Sequence, residues 1–175
     1  RVKAFYDNGL WGIRDGLGWV IENSGDAANP DLGEVNNTGD IVETALILGR
    51  WGYTEYYEDA ERILRGHLLP SQLRDISFIA EPDNPAGEDC KRDVAQRHQG
   101  AFGFPAPYGH APLEAPEMRF NMDIVGGAVG TLCEVYRESV GSDQAGHWVN
   151  MFFDIETAEI ALESPYAHSA LSVRV

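Results

Sequence analysis

The sequence predicts a mainly α-helical chain that ends in antiparallel β-strands, and three observations carry that expectation. Apolar residues recur with the helical period of 3.6 in three segments, over about 39–51, 55–68 and 122–138. Glycine and proline gather between those segments rather than inside the first two. After Gly141 the apolar period falls to two, over 147–153 and 158–163, as half-buried strands require. Helices first and strands afterwards mean separate layers or separate domains. The boundary is expected near Ser142, dividing 1–141 from 142–175.

Each element has its own justification. Residues 4–21 carry many glycines beside Trp11 and Trp19, so a short helix into Ile13 followed by an irregular passage is expected. Residues 22–37 read as a polar loop punctuated by Gly25, Pro30 and Gly33. Thr38 is placed to cap a helix over about 39–51, with Asp40 in its first turn. Ile41, Ala45 and Leu48 form its apolar stripe, widened by Val42, Leu46 and Ile47, and Gly52 stops it.

Thr54 is the expected cap of the second helix, with Tyr57, Ala60, Leu64 and Leu68 inside. Glu55, Glu58, Asp59, Glu61, Arg62 and Arg65 fall on its wet face. The short Gly52-Tyr53 loop makes the two helices neighbours. Residues 71–119 read mostly as loop. In the third helix Val125, Ala128, Val129, Leu132 and Tyr136 form the expected core face, with Cys133 as a small buried hydrophobe. Gly126, Gly127 and Gly130 lower helix propensity there, which points to close approach by a neighbour.

Residues 154–157 are the expected hairpin turn between the two strands. The final stretch, 170–175, alternates like a strand whose partner is expected outside these residues. With the abrupt start Arg1-Val2-Lys3, the chain reads as a fragment whose first partner is the remainder of the same polypeptide.

Charge narrows the partners. With 28 acids against 13 bases the net charge is −15, which repels phosphate backbones and anionic lipid surfaces. Neither nucleic acid nor membrane is therefore expected. No run approaches the roughly 18 apolar residues of a bilayer span, and no signal-peptide pattern is present. Cys90 and Cys133 are too few for a disulfide framework or a metal knuckle.

The chemistry concentrates in 15–49, which holds Asp15, Glu22, Asp26, Asp31, Glu34, Asp40 and Glu43 and no lysine or arginine. Acids without a basic partner raise one another's pKa values or bind a cation. A glycosidase uses the first outcome, keeping one carboxyl protonated and another ionised. Trp11, Trp19 and Trp51 offer flat faces for sugar rings, although tryptophan is more often core. A calcium ion is the rival use of Asp26, Asn29, Asp31 and Glu34, which lack the EF-hand spacing. Phe102, Phe104 and Tyr108 sit in a glycine- and proline-rich loop, with His110 as a polar contact. That loop either lines a cleft or is anchored by its own aromatics. His67 lies near a helix end, where a carbonyl can hold it. His147 and His168 lack the spacing of a metal motif, so no metal is assigned.

Several stretches in order resemble a known family. They are Gly33-Glu34-Val35-Asn36-Asn37-Thr38-Gly39-Asp40-Ile41-Val42-Glu43, then Tyr56-Tyr57-Glu58-Asp59-Ala60-Glu61-Arg62 running on through Leu64-Arg65-Gly66-His67-Leu68-Leu69-Pro70-Ser71-Gln72. Asp123-Ile124-Val125-Gly126-Gly127-Ala128-Val129-Gly130 and Trp148-Val149-Asn150-Met151-Phe152-Phe153 follow, ahead of Ser164-Pro165-Tyr166. Together they resemble the β-L-arabinofuranosidase-like superfamily, glycoside hydrolase family 127 and its relatives. The resemblance implies part of an (α/α)6 toroid followed by the first antiparallel strands of a β-sandwich domain.

In that family a Glu and cysteines hold zinc, one cysteine is the nucleophile and a further Glu is the acid/base. Glu34 matches the zinc-binding Glu and Glu22 the acid/base. Asn36 and Gly126-Gly127 stand where the cysteines should be, so zinc is not expected. The implied function is a glycoside hydrolase acting on plant or microbial polysaccharide with carboxylates, Glu22 or Glu34 as acid and Asp40 or Asp123 as partner. Trp19, Phe102, Phe104, Tyr108 and His110 are the expected carbohydrate contacts. The alternative is a non-catalytic carbohydrate-binding or scaffold protein on the same fold. No cofactor is required, calcium being the single alternative.

Overall fold

The computed structural model describes residues 1–9, 35–102 and 122–175. Among them are five α-helices and two small antiparallel sheets, in the expected order of helices before strands. The helices are α1 (Val2–Gly9), α2 (Val35–Arg50), α3 (Tyr56–Ile63), α4 (Val94–His98) and α5 (Met122–Ser139). A π-helical turn, Leu64–Leu68, continues α3, and a 3-10 turn, Asp89–Lys91, precedes α4. No described helix is long and apolar enough to cross a membrane.

Helix α2 begins before the expected cap. Residues 35–37 are already helical, and Thr38 is a fully buried member of the helix rather than its cap. A β-branched residue buried in this way serves packing, and that outweighs its capping preference. Ile41, Val42, Ala45, Leu46 and Leu48 are buried as expected, whereas Ile47 is 40% exposed. The helix ends in a Schellman motif: Gly52 has φ +92°, Gly52 N donates to Gly49 O, and Tyr53 N donates to Leu48 O.

The next helix starts at Tyr56 without a side-chain cap from either Thr54 or Glu55. Its first amides are satisfied by backbone turns, Tyr56 N to Tyr53 O and Tyr57 N to Thr54 O. Tyr56, Tyr57, Ala60, Ile63, Leu64 and Leu68 join the α2 face in one core with Tyr6, Phe102, Ala128, Val135 and Met151. Helix α1 is tied to this pair through Tyr6, whose hydroxyl donates to Asp59 Oδ2 at 3.2 Å, and through Asp7, which accepts from the Tyr56 hydroxyl. The Tyr6 and Tyr56 rings meet edge to face at 5.2 Å.

Helix α5 is rotated from its expected orientation. Ala128, Thr131 and Val135 are the buried positions and Leu132 is partly buried, while Val129, Tyr136 and Cys133 are exposed. The polar contact made by Thr131 decides the rotation, which an apolar count cannot register. Among the described residues only Gly127 of the three glycines meets a neighbour: a Cβ there would collide with the Asn36 side chain, whereas Gly126 and Gly130 have no described atom within 4 Å.

The strands also differ in register from the expectation. Strand β1 (Val140–Asp143) follows α5 directly and pairs with β2 (Gly146–Val149). Residues 150–153 lie outside any strand, and the expected turn contains β3 (Ile155–Glu156). Strand β3 pairs with β4 (Ala161–Glu163), which pairs with β5 (Ser172–Arg174). The terminal strand thus finds its partner inside the chain, not outside it. Val140, Ile155, Ile160 and Leu162 form a small second core. Asp154 braces this unit by accepting Ser164 N–H at 2.6 Å and contacting His168 at 3.1 Å. The Ser164 amide, with His168 beside it, holds the Asp154 carboxyl below its usual range.

Candidate functional site

Helices α2 and α5 pack against each other and form the wall that carries Asp40 on the second turn of α2. Along it Asn36 fills the space over Gly127, Glu43 meets Thr131, and Arg50 meets Glu134 and Glu138. The partners rise together along both chains, so the two helices run parallel. A Cβ on Gly39 would stand 2.6 Å from Thr131 Oγ1, which makes this a close helix–helix contact. Thr131 Oγ1 lies 2.9 Å from Glu43 Oε1 and 3.1 Å from the Gly127 carbonyl, so one proton serves two acceptors.

Above that contact an open groove of about 490 Å3 is lined by Glu43, Leu46, Ile47, Arg50, Gly130, Glu134 and Arg137. Its charges largely answer one another. Arg50 Nη1 lies 3.1 Å from Glu138 and 3.6 Å from Glu134, and Arg137 lies 3.1 Å from Glu134. The Tyr57 hydroxyl donates to Glu138 Oε2 at 3.3 Å, and burial beside that carboxylate pushes Tyr57 up to about 12.

Asp40 sits on the exposed side of α2, one turn beyond Asn36 and one turn before Glu43. Partial loss of water around its carboxyl raises its pKa above the ordinary value even though the residue remains exposed. Asp123 lies in the first turn of α5, one turn before Gly127. With Asn36 level with Gly127, the backbones of Asp40 and Asp123 stand about 12 Å apart along the axes.

Glu22, Glu34, Trp19, Phe104, Tyr108 and His110 lie outside the described residues. Phe102 does not line a cleft. It is 1% exposed, bridges to Gln72 and belongs to the main core, because an aromatic anchoring a loop contributes most where it is dry. Among the described residues no group of three His, Cys, Asp or Glu side chains is placed to hold a metal ion.

Two features differ from what the sequence predicts. His67 is buried in the π turn, where loss of water lowers its pKa to about 4, so it is neutral at pH 7. Glu61 and Arg65, expected on a wet face, instead dock the β region. Glu61 Oε2 accepts Phe152 N–H at 3.0 Å, and Arg65 Nη2 donates to Phe152 O at 2.6 Å. Their own ion pair measures 2.8 Å, and the Arg65 guanidinium lies 4.2 Å from the Phe153 ring and 4.0 Å from that of Tyr166. The only signal in the sequence was their i, i+4 spacing, which is common on any helix surface.

Protein-family models, curated proteins and solved structures offer no match to this chain. The functional reading therefore rests on the residues themselves.

Proposed function

We propose that this chain is part of a carbohydrate-active helical toroid and cleaves glycosidic bonds with carboxyl groups, Asp40 among them. The observation that carries the proposal is the Asp40 carboxyl, exposed on the second turn of α2 within the base-free acidic segment and raised in pKa by partial loss of water. A carboxyl that holds its proton to higher pH is suited to protonating the leaving oxygen of a glycoside. Glu22 or Glu34, in the same base-free segment, supplies the second carboxyl. The parallel packing of α2 and α5, with α3 packed on α2 between them in sequence, agrees with successive hairpins of a toroid.

The family resemblance would bring zinc, but the donor set does not fit it. Asn36 and Gly127 occupy adjoining positions where thiolates would be needed, and an amide beside a glycine supplies no soft ligand. No step is assigned to a metal.

The test is release of reducing ends from plant and microbial polysaccharides by the full chain. Asp40→Asn, Glu22→Gln and Glu34→Gln are each expected to lower the rate about 10²- to 10⁴-fold if they carry proton transfer. Undiminished rates in all three overturn the proposal. A second reading, carbohydrate binding without hydrolysis, draws on the ion-paired state of Glu134 and Glu138 in the groove. It predicts saturable binding with no reducing ends released.

A further inference from the structure

A second groove lies where the π turn after α3 meets the β region. Arg65, Leu69, Pro70, Arg74 and Tyr166 line an open volume of about 440 Å3. Tyr166 is 70% exposed, yet its ring is not loose, because it rests against the Arg65 guanidinium. Arg65 is itself held by Glu61 and the Phe152 carbonyl. An exposed aromatic fixed in this way is a platform that loses little freedom when a ring settles on it. Leu69 and Pro70 add apolar surface beside it.

Arg74 supplies the charge. Its side chain is exposed and makes no hydrogen bond or ion pair among the described residues. The neighbouring Asp75 turns its carboxylate to the Ser77 amide at 2.9 Å. In a chain of 28 acids and 13 bases, most described arginines are taken up by acids, as Arg50, Arg62, Arg65, Arg92 and Arg137 are. The Arg65 charge is answered by Glu61, so the groove offers one uncompensated guanidinium beside one flat aromatic face.

We propose that this groove binds a carboxylate-bearing sugar ring, with the ring's C–H face on Tyr166 and the carboxylate on the Arg74 fork. Guanidinium and carboxylate match in bidentate geometry. A neutral sugar lacks that bond, and a simple carboxylate lacks the stacking. The net charge of −15 does not forbid an anion here, because at physiological salt charges beyond about 8 Å are largely screened. The site is separate from Asp40 and does not depend on hydrolysis there.

The experiment titrates the full chain by calorimetry with digalacturonate, cellobiose and acetate. Digalacturonate is expected to bind at least roughly tenfold more tightly than either other probe, the worth of one charge-assisted pair. Arg74→Gln should remove that preference while Arg74→Lys keeps part of it, and Tyr166→Ala should weaken both sugars. Raised salt should weaken digalacturonate alone. Equal affinity for all three probes, indifference to Arg74→Gln and Tyr166→Ala, or no binding of digalacturonate at about 10 mM overturns the proposal. Asp40→Asn is expected to leave digalacturonate binding intact, so loss of hydrolysis and loss of this site are told apart.

Discussion

Replacing Arg65 by alanine tests how the helices hold the β region. Arg65 is 26% exposed at its side chain and Glu61 12%, so their pair is half-desolvated rather than a surface contact. The substitution removes a charge-assisted hydrogen bond to the Phe152 carbonyl at 2.6 Å, worth about 1.5–3 kcal/mol. It also removes contact with two aromatic rings at 4.0 and 4.2 Å, worth roughly 0.5–1 kcal/mol apiece at exposed sites. Glu61 then keeps only its Phe152 amide partner in a poorly solvated place. A total near 3 kcal/mol follows, allowing for non-additivity among shared partners. For a chain of 175 residues that is a fall in Tm on the order of 6–12 °C. The assay is denaturant and thermal unfolding of the full chain, with Glu61→Gln and the double variant closing a cycle. A coupling of about 1–2 kcal/mol between Arg65 and Glu61 is expected. A single-variant loss below about 0.5 kcal/mol, the level of an ordinary surface change, would refute the assignment.

The remaining expectations concern charge and space inside the helical layer. His67 has a folded pKa near 4, below its unfolded value of about 6.5, so the unfolded chain takes up its proton first. Its contribution is therefore complete above the unfolded pKa and is lost as pH falls towards 4. Stability measured across that window should lose part of its slope in His67→Gln. Asp40 acts with the opposite sign, since its raised pKa makes the folded state easier to keep as pH falls, and Asp40→Asn should remove that term from the same profile. Gly127→Ala should destabilise by about 1–3 kcal/mol through collision with Asn36, with partial rescue by Asn36→Gly. Gly126→Ala and Gly130→Ala, which meet nothing among the described residues, should be neutral or stabilising by up to about 1 kcal/mol in thermal unfolding.

Much of the helical layer was legible because its apolar stripes are long and regular. Ile41, Ala45 and Leu48, like Tyr57, Ala60 and Leu64, went inside where the 3.6 period put them. The failures fall where one polar contact outweighed the stripe. Thr131 turned inwards to reach Glu43, and that rotation carried Val129, Cys133 and Tyr136 out to the surface. The strands failed for a different reason. Runs of two to four residues leave period two little to act on, so β1 spans the position near Ser142 where a domain boundary was expected. The partner of β5 was missed because β4 and β5 are joined by a turn-rich loop, which gives no hairpin signal of its own.

The candidate sites divide along the same line. Asp40 could be picked out because acids without bases stand out in composition before any coordinate is known. Phe102 could not be sorted, since an aromatic in a glycine-rich loop has the same sequence whether it faces a ligand or the core, and here its burial decided for the core. The groove of Arg74 and Tyr166 was beyond sequence reasoning altogether. It joins a residue just after the π turn to one in the loop after β4, 92 positions apart in the chain. What brings them together is the Glu61–Arg65 junction, itself disguised as a routine i, i+4 pair. The same two side chains that dock the β region therefore also set the Tyr166 platform. Arg65→Ala is then expected to weaken binding of digalacturonate along with stability, whereas Arg74→Gln should weaken binding and leave unfolding unchanged. That contrast separates a groove built by the junction from one that merely lies beside it.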